Sequence, residues 1–281
     1  MKEARFYAIE NNLIKCKLCP HHCKILKGNT GLCIARRNTG EVLQAESYGQ
    51  LSSVAIDPIE KKPLYRFYPG AKILSVGSYG CNMRCKFCQN HEISQTRPPA
   101  KYYSPRELLA LAKSVPDNLG VAFTYNEPLV GFEYLVDCAK LLKSENLKVV
   151  VVTNGLMNPE PFGELLELVD AFNIDVKSFA PQFYKQHGGD LETVRRNVET
   201  AAKPAHLEVT TLIIPGQNDQ EEEIVALSDW LSSVSPKIPL HLSRFFPRYK
   251  WTQTPSTPID TIYQLANAAR RRLKYVYEGN I

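Results

Sequence analysis

The chain has 281 residues, enough for one barrel-sized domain or two smaller ones, with 44% hydrophobic and 22% charged residues. That is an ordinary globular composition. It excludes a disordered or fibrous chain. A net charge of +5 is spread along the sequence apart from Arg270-Arg271-Arg272; that run reads as a solvated last helical turn and gives no case for nucleic-acid binding.

No apolar stretch reaches the roughly 20 residues of a membrane span, and Met1–Arg5 lacks a signal-peptide core. A cytoplasmic setting is therefore expected, where thiols stay reduced. Of the eight cysteines, seven precede residue 90. In a reducing compartment they read as metal ligands and buried thiols rather than disulfides.

Residues 1–70 form a cysteine-rich region with several Gly and Pro and only short alternating segments, Val42–Tyr48 and Leu51–Ile56. Within it, Cys16, Cys19, Cys23 and Cys33 supply four thiols, with His21 and His22 between them. Such a set could close a tetrahedral zinc site, hold an auxiliary iron–sulfur cluster, or stay metal-free; spacing does not choose the metal. A segment with so small a core favours a metal staple. Asp57–Leu64 follows, polar and proline-bounded, either an access path to a site or a plain connection. Tyr68-Pro69-Gly70 then marks a turn.

From residue 71 to 281 β-branched runs alternate with amphipathic helical patterns. Strands are predicted at Ile73–Ser78, Gly120–Thr124, Lys148–Thr153, Ala171–Val176, Leu207–Ile214 and Leu240–Phe245. Helices are predicted at Pro105–Ser114, Phe132–Glu145, Glu160–Val169, Leu191–Ala202, Gln220–Ser233 and Pro258–Leu273. Ser104 and Glu107 make a capping box with Pro105 at the first helical position. Cys138, on the second of these helices, reads as a core thiol. Six strand–helix units imply an α/β fold with a parallel sheet, open or curled into an incomplete barrel, with ligands at the strands' C-terminal ends.

At the end of the first strand stand Cys81, Cys85 and Cys88, spaced C-x₃-C-x₂-C. Three local thiolates on a cubane cluster leave one iron open to substrate or cofactor, which points to catalysis. A zinc site would need a fourth ligand, such as His91, and buried inert thiols are the other alternative. Tyr125–Pro128, Thr153–Gly155, Asp175–Lys177 and Pro215–Asp219 follow later strands, so they converge on the same rim.

Cys-x₃-Cys-x-aromatic-Cys after the first strand of six β/α units resembles the radical S-adenosylmethionine (SAM) superfamily over roughly residues 70–250. The chain is similar to its activating-enzyme-like branch, related to pyruvate formate-lyase activating enzyme. Asp57–Leu64, Cys88-Gln89-Asn90, Thr124–Pro128 and the N-terminal cysteines look like the AmmeMemoRadiSam-system proteins.

The resemblance implies a partial (β/α)₆ TIM-type barrel, a [4Fe-4S] cluster on Cys81, Cys85 and Cys88, and bound SAM. It implies reductive cleavage of SAM to a 5′-deoxyadenosyl radical that abstracts hydrogen from a substrate. That substrate could be a protein glycine, another peptide or a small molecule, and flavodoxin or ferredoxin would donate the electron. Phe87 would pack near the adenine. Glu127, with Asn126 beside it, would meet the methionine amine, although Tyr125 and Asn126 replace the family's two glycines.

Thr153 and Asn154 resemble the Thr-Asn-Gly strand end near the ligand; the acid that precedes this Thr in activating enzymes is Val152 here. Asp175 and Lys177 match the Asp-x-Lys motif near the SAM carboxylate, and strand alternation puts both on one face. Thr211 starts the strand segment that flanks adenine and ribose, and His241 is a weaker rim candidate, as is Arg244. Outside this family the competing readings are a non-catalytic metal-binding protein and an electron-transfer iron–sulfur protein.

Overall fold

The computed structural model describes residues 2–10 and 13–281. Its centre is an eight-stranded sheet, built from β1 (Ser53–Pro58), β2 (Lys72–Gly77), β3 (Asn118–Phe123), β4 (Lys148–Thr153), β5 (Ala171–Asp175), β6 (His206–Ile213), β7 (Leu240–Arg244) and β8 (Val276–Gly279). The strands lie side by side in chain order; β1 runs antiparallel to β2 and every other pairing is parallel. β1 and β8 do not pair, so the sheet is a partial barrel.

Six long helices serve as crossovers: α1 (Pro105–Ser114), α2 (Phe132–Ser144), α3 (Pro159–Leu166), α4 (Leu191–Ala201), α5 (Glu221–Val234) and α6 (Ile259–Arg270). All six predicted strands and six predicted helices are present, with boundaries within a few residues. The capping box forms as expected: the Glu107 N–H donates to Ser104 Oγ at 3.2 Å and the Ser104 N–H to Glu107 Oε2 at 2.7 Å. Two elements were not anticipated. β8 is only four residues long and pairs along its whole length with β7. β1 carries the chain from the cysteine-rich region into the main sheet, so Asp57 and Pro58 are strand residues rather than loop.

Alternation decides which side chains fill the barrel. Leu74, Val121, Val149, Phe172, Leu207 and Leu240 face outward and are buried under the helices. Inside, Ile73, Ala122, Val150 and Ala171 meet Ile59, Leu64 and Phe67 from the β1–β2 connection and seal one end with apolar contacts. Glu208 anchors the same connection, accepting the backbone N–H groups of Tyr65 and Arg66 at 3.1 and 2.7 Å. Above this floor the interior wall turns polar.

The N-terminal region adds a three-stranded antiparallel sheet (Tyr7–Glu10, Leu13–Cys16, Lys24–Ile25) and a hairpin of Arg36–Asn38 with Leu43–Ala45. Its Ala4, Ile14, Leu18, Ile25 and Leu43 belong to one continuous core with the barrel helices. Cys138 is buried in that core on α2. The three consecutive arginines at the end of α6 pair with Glu278, Glu221 and Asp229. Among the described residues no helix is long and apolar enough to cross a membrane.

Candidate active site

The cysteine loop leaves β2 at the C-terminal end of the parallel strands. Gly80 has φ +89°, and a Cβ there would run into the carbonyl of Cys33, so glycine is required on both counts. Beyond it the chain folds on its own sulfurs. The Met83 N–H donates to Cys81 Sγ at 3.3 Å, Asn154 Nδ2 lies 3.6 Å from the same sulfur, and Ser94 Oγ is 3.2 Å from Cys88 Sγ. Asn82 locks the loop to the β4 end: its amide donates to the Leu156 carbonyl at 2.7 Å and its oxygen accepts Asn154 Nδ2 at 2.9 Å. Burial pushes the Cys85 thiol up to about 11, with Lys177 opposing that shift. A free Cys85 thiol is therefore protonated at neutral pH, and would ionise when a metal takes the proton's place.

All three thiols line one cavity of about 640 Å³ inside the barrel mouth. Phe87, Asn126, Glu127, Thr153, Asn154, Asp175, Lys177 and His241 line it too. Phe87 is wedged among Phe183, His187 and Trp251, with ring centroids 5.8, 5.2 and 5.3 Å away. Lys177 Nζ is 3.0 Å from Asp175 Oδ2, an ion pair on the wall. Burial works against the Lys177 charge, but Asp175 and Cys85 outweigh it and hold the ammonium protonated.

Glu127 is committed to the protein itself. Its carboxylate accepts the Thr153 hydroxyl at 2.6 Å, the Asn154 N–H at 2.8 Å and the Leu129 N–H at 3.0 Å. Burial pushes it up to about 7 despite those donors. It fixes the Thr153-Asn154 strand end and keeps little acceptor capacity for a ligand amine. Asn126 is likewise a tie, accepting the Ser78 N–H at 2.9 Å and donating to the Gly80 carbonyl at 3.0 Å.

Thr211 departs from expectation. Its hydroxyl donates to the Val176 carbonyl at 2.8 Å, away from the cavity, while Thr210 lines it. The cause is strand parity: Glu208, Thr210 and Leu212 point inward, so Thr211 cannot. Arg244 also stays out of the lining; its Nε donates to the Thr257 carbonyl at 2.6 Å. His241 sits at the cavity floor, donating to Glu208 Oε2 at 2.6 Å and flanked by Tyr65 and Tyr277. His91 stacks on Tyr249 and adds no fourth ligand to the cysteines lining the cavity.

A network that sequence reasoning missed lies opposite. Lys62, 2% exposed, donates to Asp57 Oδ2 at 2.8 Å, and the Tyr125 hydroxyl donates to the same oxygen at 2.6 Å. Burial would raise the Asp57 carboxyl, yet these donors hold it well below the usual carboxylate range. Tyr125 has φ +71°, a left-handed conformation costly for a side chain of its size. Its bulk, in place of a glycine, is what reaches Asp57. Pro58, Lys61, Lys62, Pro63 and Tyr65 all line the cavity, so the Asp57–Leu64 segment borders the site.

The residues fit a cubane cluster with a bound cofactor. Three thiols converge on an open chamber, two of the sulfurs already have hydrogen-bonding neighbours, and a cation–carboxylate pair stands on the wall.

Known proteins agree. Residues 75–228 match the family model of the radical SAM superfamily. An uncharacterised protein of Methanocaldococcus jannaschii is 40% identical over 290 residues, covering 100% of this chain and 86% of that protein. The 4-hydroxyphenylacetate decarboxylase activating enzyme of Clostridium scatologenes is 28% identical over 156 residues, 53% of this chain; the chain spans 49% of that enzyme's length. Among solved structures, a radical SAM methyltransferase from Sphaerobacter thermophilus superposes with a TM-score of 0.55 at 15% identity, over 75% of this chain and 67% of that one. The chain belongs to the radical SAM superfamily, which binds a [4Fe-4S] cluster and SAM, and its relatives include activating enzymes.

Proposed function

We propose that the protein is a radical SAM oxidoreductase of the activating-enzyme type, which abstracts hydrogen from a glycine of a partner protein. The observation that carries this reading is the convergence of Cys81, Cys85 and Cys88 with the Asp175–Lys177 pair on one 640 Å³ chamber. When bound, the cluster and SAM supply a reductively generated 5′-deoxyadenosyl radical, a hydrogen-abstracting species.

The protein's part is binding, orientation and exclusion of water. Lys177 offers a buried ammonium to the methionine carboxylate, and Asp175 keeps it protonated and aimed. Asn154, held by Glu127 and Asn82, offers a side-chain amide beside Cys81. Phe87 provides an apolar plate for the adenine. The sealed barrel floor and the Asp57–Lys62–Tyr125 network keep bulk water from the reacting end.

A protein glycine as target is supported by the similarity to an enzyme named as an activating enzyme. A cytoplasmic site of action, with flavodoxin or ferredoxin as electron donor, suits the cysteine usage. The test is anaerobic reconstitution with iron and sulfide, then dithionite and SAM, with products followed by mass spectrometry. Methionine and 5′-deoxyadenosine in equal amounts are expected. A protein that takes up iron and leaves SAM intact would overturn the reading.

A further inference from the structure

We propose that Cys16, Cys19, Cys23 and Cys33 bind a single zinc ion as a tetrathiolate, and that this ion braces the loop carrying Cys81, Cys85 and Cys88. The four thiols line one small pocket, whose apolar wall of Leu18, Ile25, Leu32 and Val130 is completed by His21, Arg36 and Asn82. Among the described residues no three or more His, Cys, Asp or Glu side chains stand close enough together to hold a metal ion as they are, at this pocket or at the Cys81 loop, so the thiols of either set would have to draw in on binding. The geometry that matters is therefore how much room each set of thiols encloses.

The pocket at the four N-terminal thiols offers about 10 Å³, whereas Cys81, Cys85 and Cys88 are part of the wall of a chamber of about 640 Å³. A pocket of about 10–15 Å³ is the least that holds one water. One zinc ion with sulfur at about 2.3 Å suits such a space. An eight-atom cubane does not. Spacing alone leaves zinc and an auxiliary cluster open; the enclosed volume separates them.

Local structure assembles the ligands. Cys16 ends one strand of a hairpin and Cys23 precedes the next, joined by the Cys16 N–H donating to the Cys23 carbonyl at 2.9 Å. Cys19 lies in the tight connection between them. Cys33 arrives from the following turn.

A second, independent feature points to charged sulfur. Arg36 is 1% exposed, and its Nη1 approaches Cys16 Sγ at 3.4 Å. Its Nη2 pairs with Glu133, and its Nε has no partner among the described residues. A thiol is a weak acceptor for a guanidinium, whereas a metal-bound thiolate is a good one. With two positive charges on zinc and four negative ones on sulfur, the centre would carry a net negative charge that this buried cation meets.

The bracing follows from three contacts across the boundary. His21, on the pocket wall, donates from Nε2 to the Asn82 carbonyl at 2.6 Å and so ties that wall to the loop. Arg84 Nη2 donates to the Leu32 carbonyl. Gly80 packs directly against the Cys33 carbonyl. Fixing Cys33 on an ion therefore fixes the surface on which the cluster loop rests.

Zinc, iron and sulfide are measured on the full-length protein as purified anaerobically. One zinc per chain is expected in the wild type and in a Cys81→Ala/Cys85→Ala/Cys88→Ala triple variant, with loss of that zinc in Cys19→Ser and in Cys33→Ser. Zinc-edge X-ray absorption should find four sulfurs at about 2.3 Å. Hydrogen exchange of the amides at 80–84 should quicken in Cys19→Ser. Absence of zinc from the wild type, its loss in the triple variant, or additional iron with sulfide in that variant would overturn the assignment. Unchanged exchange at 80–84 would overturn the bracing. Should the single variants not fold, cobalt exchange into the wild type decides: tetrathiolate charge-transfer bands support the site and their absence sinks it. None of these readings depends on whether SAM is cleaved.

Discussion

Two sets of thiols lie back to back across Gly80, and what surrounds them differs more than the ligands do. Cys81, Cys85 and Cys88 border a chamber of about 640 Å³ with the Asp175–Lys177 pair on its wall; Cys16, Cys19, Cys23 and Cys33 line a pocket of about 10 Å³ walled mostly by apolar side chains. An open set with three ligands leaves a coordination position for chemistry, while a closed set with four serves structure. With the cluster and the zinc placed as proposed above, the same side chain would serve opposite tasks at the two sites.

The sharpest way to break this contrast is Cys85→Ala. It should abolish SAM cleavage, read as 5′-deoxyadenosine release, while the zinc of the N-terminal set stays at one per chain. Persisting cleavage at the wild-type rate would mean that the open set is not the reacting one.

Lys177→Ala should have the next largest effect. Removing a charge-assisted contact of about 1.5–3 kcal/mol would weaken SAM binding about 10- to 150-fold in the reconstituted protein, measured by equilibrium dialysis. Iron content should not change. Equal affinity in the variant would place the methionine carboxylate elsewhere.

Glu208→Gln probes the barrel floor and should leave both thiol sets loaded. Burial would raise this carboxyl from 4.5, but hydrogen bonds from His206, His241 and the Arg66 N–H lower it to about 2. Its stabilisation is complete above pH 4.5 and is lost as the pH falls through about 2. At about 1.4 kcal/mol per pK unit this is roughly 3 kcal/mol. The variant should lose about that much in chemical denaturation at pH 7 and show a flatter acid limb. A wild-type acid limb in the variant would refute the coupling.

Much of this was legible in the sequence, for physical reasons that differ by element. Long apolar runs fixed six strands because parallel strands are buried on both faces, and Ser104 with Glu107 fixed one helix start. The convergence of Cys81, Cys85 and Cys88 on the chamber was readable because the three thiols are local in sequence. β8 was not, since Val276–Gly279 is too short for a periodic signal and is held by its pairing with β7. Thr211 was displaced by one residue, which in a strand reverses the face.

The Asp57–Lys62–Tyr125 network left no local trace, because Asp57 and Tyr125 are 68 residues apart. Glu127 was placed at the right wall, but its carboxylate is used up by the chain's own donors at Thr153, Asn154 and Leu129. That satisfaction depends on the fold, not on the motif.

The unjoined edges of the sheet carry a last implication. Pro58 and Lys61 near one edge and Gly279 and Asn280 at the other all border the chamber. A closed barrel admits guests only along its axis, and its girth is set by hydrogen bonds all the way round. Here β1 and β8 share no ladder, and Tyr65 of the β1–β2 connection packs on Tyr277 of β8 with ring centroids 4.8 Å apart, so side chains rather than backbone hydrogen bonds set the girth at that seam.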